Sequence, residues 1–192
     1  MSIEVNERTL ANGSIREPVR PEEVEAAARA LQRLGAAALC IFFVNSYAND
    51  ANERAALDAA RNVWPNEQIV ASSEILPEIR EFERASTTAL NSYLQPVISR
   101  YLGELEKRLE QDGFGGTMLI VQSNGGVMSV GTAKRLPIRT ALSGPAAGVI
   151  AAGYIAQAAG FPNVITCDMG GTSFDVSLVA DGKHTMVAET AV

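Results

Sequence analysis

One segment constrains this chain more than any other. It runs Val164-Ile165-Thr166-Cys167-Asp168-Met169-Gly170-Gly171-Thr172-Ser173-Phe174-Asp175-Val176-Ser177-Leu178-Val179. An apolar β-type run delivers Asp168, a glycine pair makes room for a tight turn, and a second run leaves with Asp175 at its start. The pattern predicts two strands joined by a short turn. Glycine has no Cβ, so the backbone there approaches an anion closely and aims its N–H groups at it. Thr172 adds a hydroxyl donor. Asp168 is placed to hold a hydrated Mg²⁺, directly or through water, because Mg²⁺ takes one or two carboxylates plus phosphate oxygens. A plain hairpin turn is the competing reading, but it requires neither an aspartate at each end nor Thr-Ser between them. The expectation is a phosphate site, with Asp168 and Asp175 as catalytic candidates, Gly170, Gly171 and Thr172 as cofactor-binding residues, and Asp168 as the metal ligand.

The rest of the chain alternates helical and strand signals. Pro21, the first-turn acids Glu22 and Glu23, and Gly35 bracket a helix whose apolar face is Val24, Ala28, Leu31 and Leu34. Residues 36–44 read as a buried parallel strand. Asp50-x-x-Glu53 resembles a capping box opening a helix through Ala56, Leu57, Ala60 and Val63, which Pro65 stops. Residues 68–71 form a short strand. Ser86 is expected to cap a long helix whose stripe of Leu90, Tyr93, Leu94, Val97, Ile98, Tyr101, Leu102, Leu105 and Leu109 reads as core, with Pro96 kinking it. A strand at 118–121 leads into Gln122-Ser123-Asn124-Gly125-Gly126. A small-residue helix at 145–159, implying close approach to another backbone, precedes the Gly-Gly-Thr segment. Asp181-Gly182 turns the chain into a further strand at 185–187. This order is α/β, with a change of regime near residue 160.

Charge divides the chain elsewhere. Residues 1–112 hold 12 Lys/Arg against 18 Asp/Glu, and so the whole net charge of −6; residues 113–192 hold four of each sign and 13 of the 16 glycines. No basic stripe exists for a nucleic-acid backbone, and no apolar run reaches membrane-spanning length. Neither nucleic acid nor membrane is expected as a partner, and a cytoplasmic location is. Two cysteines make no disulfide framework, and a single histidine makes no multi-histidine metal site. Cys40 and Cys167 read as buried bystanders in apolar strands. His184, after a hairpin turn, reads as exposed.

Asp-x-Gly-Gly-Thr-x-x-Asp between two strands resembles a phosphate-binding hairpin of the actin-like ATPases. The wording Cys167-Asp168-Met169-Gly170-Gly171-Thr172-Ser173-Phe174-Asp175-Val176 is similar to the hydantoinase A / 5-oxoprolinase family, which includes subunits of acetone-type carboxylases. Three further stretches agree: Ser73-Glu74-Ile75-Leu76-Pro77-Glu78-Ile79-Arg80-Glu81-Phe82-Glu83-Arg84-Ala85-Ser86-Thr87-Thr88, Gln122-Ser123-Asn124-Gly125-Gly126, and Leu142-Ser143-Gly144-Pro145-Ala146-Ala147-Gly148-Val149. The resemblance covers about residues 18–190. The resemblance implies part of an actin-like (ribonuclease H-like) ATPase lobe followed by the opening β-hairpins of a second lobe. It implies ATP and Mg²⁺ as cofactors, and phosphorylation of a cyclic amide oxygen so that water opens a hydantoin or 5-oxoproline ring. An acetone-type carboxylase subunit, a small-molecule kinase and a folded but inactive module are the alternatives. A hydantoinase B-type partner subunit or domain is also implied.

The chain departs from that pattern in lacking a second Asp-x-Gly-Gly-Thr motif, since Gly115-Gly116-Thr117 has no preceding aspartate. An internal fragment is therefore expected, with residues 1–142 the later part of the first lobe, 143–160 a linking helix, and 161–192 the incomplete start of the second lobe. The isolated chain is expected to be inactive, and its uncovered strands to favour self-association. Ser123, Asn124, Gly125 and Gly126 are further cofactor-binding candidates because ligands gather at the carboxyl ends of strands in open α/β sheets. Ser143 and Gly144 join them because the following helix N-terminus attracts anions, although a serine cap with Pro145 at the first helical position explains that sequence equally well. The charged run at 78–84 reads as a solvated face or as a positioning element.

Overall fold

The computed structural model describes residues 1–184, which divide into two compact units. The expected strand at 185–187 lies outside the described residues. The first unit comprises residues 1–113 and 134–138, the second residues 114–133 and 139 onward. The first boundary falls where the charge and glycine composition changes.

The first unit opens with a hairpin, β1 (Arg8–Thr9) and β2 (Ile15–Glu17), turned at Gly13 with φ +81°. Helix α1 (Pro21–Arg33) carries proline in its first turn, Glu22 and Glu23 at its positive N-terminal end and Arg33 at its negative C-terminal end, each complementing the helix dipole. Val24, Ala28 and Leu31 are buried, whereas Leu34 lies past the helix and is exposed. Strand β3 (Leu39–Ile41) pairs in parallel with β4 (Ile69–Ala71) in the register Leu39↔Ile69 and Ile41↔Ala71. The expected nine-residue strand shortens to three, because the chain after Ile41 breaks into turns around Asn45, at φ +62°. The crossover between the strands is α2 (Ala51–Arg61), whose Ala56, Leu57 and Ala60 join Leu39, Ile41 and Ile69 in one apolar core. A short helix α3 (Ser72–Ile75) then leads to the long helix α4 (Glu81–Gln111).

Helix α4 corrects two expectations. It starts at Glu81, so Ser86 is not its cap; the Ser86 hydroxyl donates back to the Phe82 carbonyl at 2.7 Å inside the helix. Pro96 does not break the helix, which runs on through it to Gln111. The apolar stripe is not core along its length: Leu102 is buried, but Leu90, Tyr93, Val97 and Tyr101 are exposed. The face that α4 buries is polar, formed by Arg84, Thr88, Asn91, Ser92 and Gln95. Asn91 explains part of this inversion. Its carboxamide donates to the Arg135 carbonyl at 3.1 Å and accepts from the Ile138 N–H at 3.2 Å, tying the returning segment 134–138 to the helix.

The second unit contains the hairpin β5 (Leu119–Val121) and β6 (Val127–Ser129), then α5 (Val130–Arg135), whose last residues belong to the first unit. A 3₁₀ turn (Pro137–Thr140) precedes α6 (Ser143–Ala158). An antiparallel sheet follows, made of β7 (Val164–Met169), β8 (Phe174–Ala180) and β9 (Lys183–His184). Helix α6 meets this sheet through Gly153, where an added Cβ would lie 3.7 Å from both Val179 methyls. The alanine- and glycine-rich sequence of α6 thus permits a close approach at that point. Among the described residues no helix is long and apolar enough to cross a membrane.

Candidate functional site

The β7–β8 register places Asp168 opposite Asp175, and Met169 opposite Phe174. The four residues between Met169 and Phe174 form the turn, closed by the Gly170 N–H donating to the Ser173 carbonyl at 3.0 Å. Strand alternation puts Asp168, Thr166 and Val164 on one face with Asp175, Ser177 and Val179. That face turns toward α6, as the Gly153–Val179 approach requires. Both aspartates are exposed and line a cleft of about 1280 Å³, together with Asn124, Gly125, Pro145 and His184. Like charges directly opposite on neighbouring strands repel, and here both side chains are open to solvent, which screens them. Cys167 points to the other face and is exposed rather than buried. The apolar side chains around it, Ile165, Met169, Phe174, Val176 and Leu178, are exposed as well.

The Gln122–Gly126 stretch is the turn of the β5–β6 hairpin and not a loop after an open-sheet strand. Ser123 is occupied in holding it: its N–H and its hydroxyl both donate to the Arg139 carbonyl, at 2.8 Å each. Asn124 accepts the Gly126 N–H at 2.9 Å. Gly125 has φ +81°, and an added Cβ would collide with the Ile150 side chain of α6. Ser123, Asn124 and Gly125 all line the cleft, with Ser123 also anchoring the turn, and Gly126 does not line it.

Helix α6 begins two residues earlier than expected. Leu142 is its N-cap, in a left-handed conformation at φ 58°, and no side chain caps the helix. Ser143 is thus not the cap, and Pro145 is not the first helical residue. Leu142, Pro145 and Ala146 line the cleft, whereas Ser143 and Gly144, like Gly170, Gly171 and Thr172, are not among its lining residues. A helix N-terminus without a side-chain acceptor leaves N–H groups available to an anion.

The first unit holds a second polar cluster that sequence reasoning did not assemble. Asp50-x-x-Glu53 is no capping box. Asp50 pairs with Arg54 at the surface, and Glu53 is fully buried. The Glu53 carboxylate accepts from the Phe43 N–H at 2.7 Å, the Ser72 hydroxyl at 2.6 Å and the Ser73 N–H at 2.8 Å. Arg84, also fully buried, donates from Nη1 to the Ser46 hydroxyl and to the Ser72 hydroxyl at 3.3 Å. Its guanidinium lies 4.6 Å from the Phe42 ring centre and 5.9 Å from that of Tyr47. Burial lowers the Arg84 pKa and the Glu53 charge opposes that shift; the side chain stays cationic. Within the charged run, Glu78, Arg80 and Glu81 are exposed while Arg84 turns inward. The missed signals are phase relations: Glu53 shares a helix face with Ala56, Leu57 and Ala60, and Arg84 shares one with Thr88, Asn91 and Gln95.

Comparison with known proteins agrees with both units. The profile of the Hydantoinase/oxoprolinase family matches residues 84–192, and that of the Hydantoinase/oxoprolinase N-terminal region matches residues 1–64. The chain is 35% identical over 176 residues to the caprolactamase subunit alpha of Pseudomonas jessenii, covering 92% of this chain and 25% of that protein. It is 34% identical over 176 residues to 5-oxoprolinase of Saccharomyces cerevisiae, covering 89% of this chain and 13% of the relative. A nucleotide-free acetone carboxylase structure superposes with a TM-score of 0.80 at 32% identity, over 94% of this chain and 26% of that one. The chain therefore spans about a quarter or less of the length of these relatives.

Proposed function

The chain belongs to the hydantoinase/oxoprolinase family, and from that premise we propose that it is a segment of an ATP-dependent enzyme that opens a cyclic amide, with the Gly170-Gly171-Thr172 turn cradling phosphate. The observation that carries this reading is the opposed pair Asp168 and Asp175, which closes the glycine turn and faces a cleft also reached by Asn124, Gly125 and the uncapped start of α6. Structures of relatives are described as an ATP-dependent caprolactamase and as part of ATP-dependent acetone carboxylation. This supports ATP as the co-substrate.

The chemistry suits such a site. A cyclic amide is a poor electrophile. Transfer of the terminal phosphoryl group of ATP to the amide oxygen releases ADP and converts that oxygen into a leaving group. Water then adds to the ring carbon, the adduct expels the protonated ring nitrogen to leave an acyl phosphate, and a second water attacks the acyl carbon so that phosphate departs with the original amide oxygen. The share of this segment is positioning and charge neutralisation. The Gly171 and Thr172 amides, the Thr172 hydroxyl and the Ser143 and Gly144 N–H groups would donate toward phosphate oxygens, while the Gly170 N–H closes the turn on Ser173. Asn124 and Gly125 shape the opposite wall, with Ser123 and Gly126 holding their turn. Asp168 and Asp175 would hold Mg²⁺, whose shell phosphate and water oxygens would complete, and it would offset phosphate charge.

A second reading keeps the phosphate site and changes the acceptor to a ketone, as the acetone carboxylase likeness supports. Several relatives are described as subunits, which supports a partner subunit for the complete enzyme. The test uses the complete protein that carries this segment, supplied with ATP and, in turn, hydantoin, 5-oxoproline, caprolactam, or acetone with bicarbonate. ADP release that requires one of the cyclic amides, with a carbonyl ¹⁸O label recovered in phosphate, is the expected result. ADP release that requires acetone selects the second reading. Ring opening without ATP turnover refutes both.

A further inference from the structure

The buried arginine of the first unit is only half used. Nη1 of Arg84 is engaged by Ser46 and Ser72, whereas Nε and Nη2 are buried without a hydrogen-bond partner. These two nitrogens are adjacent on one edge of the guanidinium plane, the edge that presents two parallel N–H groups and matches the two oxygens of a carboxylate. Leaving that edge unpaired is costly, because buried N–H groups without an acceptor lose hydration and recover no hydrogen bond.

The surroundings add an independent reason to expect a ligand. Ser46 follows β3, and Ser72 directly follows β4, so the cluster gathers where the carboxyl ends of two parallel strands open. Ligands of α/β folds collect at such ends. Phe42 and Tyr47, both half-buried, cover the guanidinium with aromatic rings that shield an ion pair from water. Glu53 makes no hydrogen bond to the free edge; its oxygens accept instead from Phe43, Ser72 and Ser73. Glu81, one turn ahead on α4, is exposed.

We propose that the Nε–Nη2 edge of Arg84 is a receptor for the carboxylate of a small molecule, a binding site in the first unit separate from the glycine turn of the second. This inference does not rest on the proposed reaction and stands or falls separately from it.

The test is an NMR titration of the chain, following the Arg84 Nε–H resonance, with acetate as the carboxylate probe. Inorganic phosphate and chloride serve as competing anions. Acetate should shift the resonance saturably, with a dissociation constant on the order of 1–10 mM. Phosphate should act more weakly and chloride not at all. Arg84→Lys keeps the charge but lacks the fork, and should bind acetate at least ~10-fold more weakly; if that variant does not fold, the titration of the unaltered chain decides alone. Three outcomes overturn the proposal: no saturable response up to about 50 mM acetate, a response to phosphate alone, or a resonance that moves in Glu81→Gln without added anion, which would show the fork filled by the chain itself.

Discussion

Replacing Glu53 by glutamine separates a surface cap from a buried hub. A capping-box acid exchanged for its amide costs little, because glutamine serves the same box. The structure places Glu53 elsewhere, fully buried and accepting from two backbone amides and one hydroxyl. Glutamine keeps one acceptor oxygen and turns the other position into a donor. With the oxygen facing the Phe43 N–H and Ser72, the new amide opposes the Ser73 N–H. Two charge-assisted bonds then become neutral ones and a third becomes a donor–donor clash. Arg84 also loses the carboxylate that supports it through Ser72. Hydrogen bonds to a charged group contribute about 1.5–3 kcal/mol and neutral ones about 1, so the summed loss is about 3 kcal/mol. Urea unfolding followed by circular dichroism measures it, alongside a melting temperature lowered by roughly 6–12 °C. The control is Glu17→Gln, whose pairing with Arg20 at 3.8 Å is exposed on both sides and should change stability by less than about 0.5 kcal/mol. A Glu53→Gln cost below about 1 kcal/mol would refute the assignment of Glu53 as a hub.

Further outcomes follow from the same geometry. At neutral pH a thiol reagent should label exposed Cys167 quickly and half-buried Cys40 only on unfolding; equal labelling of both in the native protein would contradict the packing around β3. Burial raises the Cys40 pKa above its ordinary value of 9.0, so the unfolded chain releases that proton first and native stability falls as pH rises from about 9 toward the folded pKa. Cys40→Ala should remove up to about 1.4 kcal/mol per pH unit of that decline and leave the slope below pH 8 unchanged. Gly125→Ala combines a left-handed φ with a clash against Ile150 and should cost more than ~1 kcal/mol in unfolding experiments; a neutral result would show the β5–β6 turn free to move away from α6. The apolar face of β7–β8 should drive concentration-dependent association that Leu178→Glu weakens, as read by light scattering; an unchanged monomer in both would dismiss that face as a sticky surface.

The legible parts of this protein were those where local chemistry and periodicity point the same way. The ends of α1 are marked by proline, acids and glycine, and the glycine turn of β7–β8 is marked by its flanking aspartates. The misread parts are those where long-range contacts overrule local pattern. Glu53 looks like a cap because its spacing from Asp50 is right, yet acceptor-seeking amides after β3 and β4 draw it inward. The leucine and tyrosine stripe of α4 looks like core because it keeps helical phase, yet the opposite, polar face is buried among serines and returning backbone. Ser143-Gly144-Pro145 looks self-capped, yet Leu142 takes the N-cap position in a conformation that sequence does not announce. In the second unit the aspartate pair is visible as spacing, but its direct cross-strand opposition depends on register.

The account rests on the glycine turn with its opposed aspartates as a phosphate site, and the measurement that reaches it most directly is steady-state ATP hydrolysis by the complete enzyme carrying Asp168→Asn. This substitution keeps side-chain size, removes one of two opposed charges on an exposed strand end, and should leave folding intact by circular dichroism. ATP turnover should fall by at least ~10²-fold, because charge neutralisation at the transferred phosphoryl group is lost. A folded variant that hydrolyses ATP at nearly the unaltered rate would contradict the account and make the turn a structural hairpin.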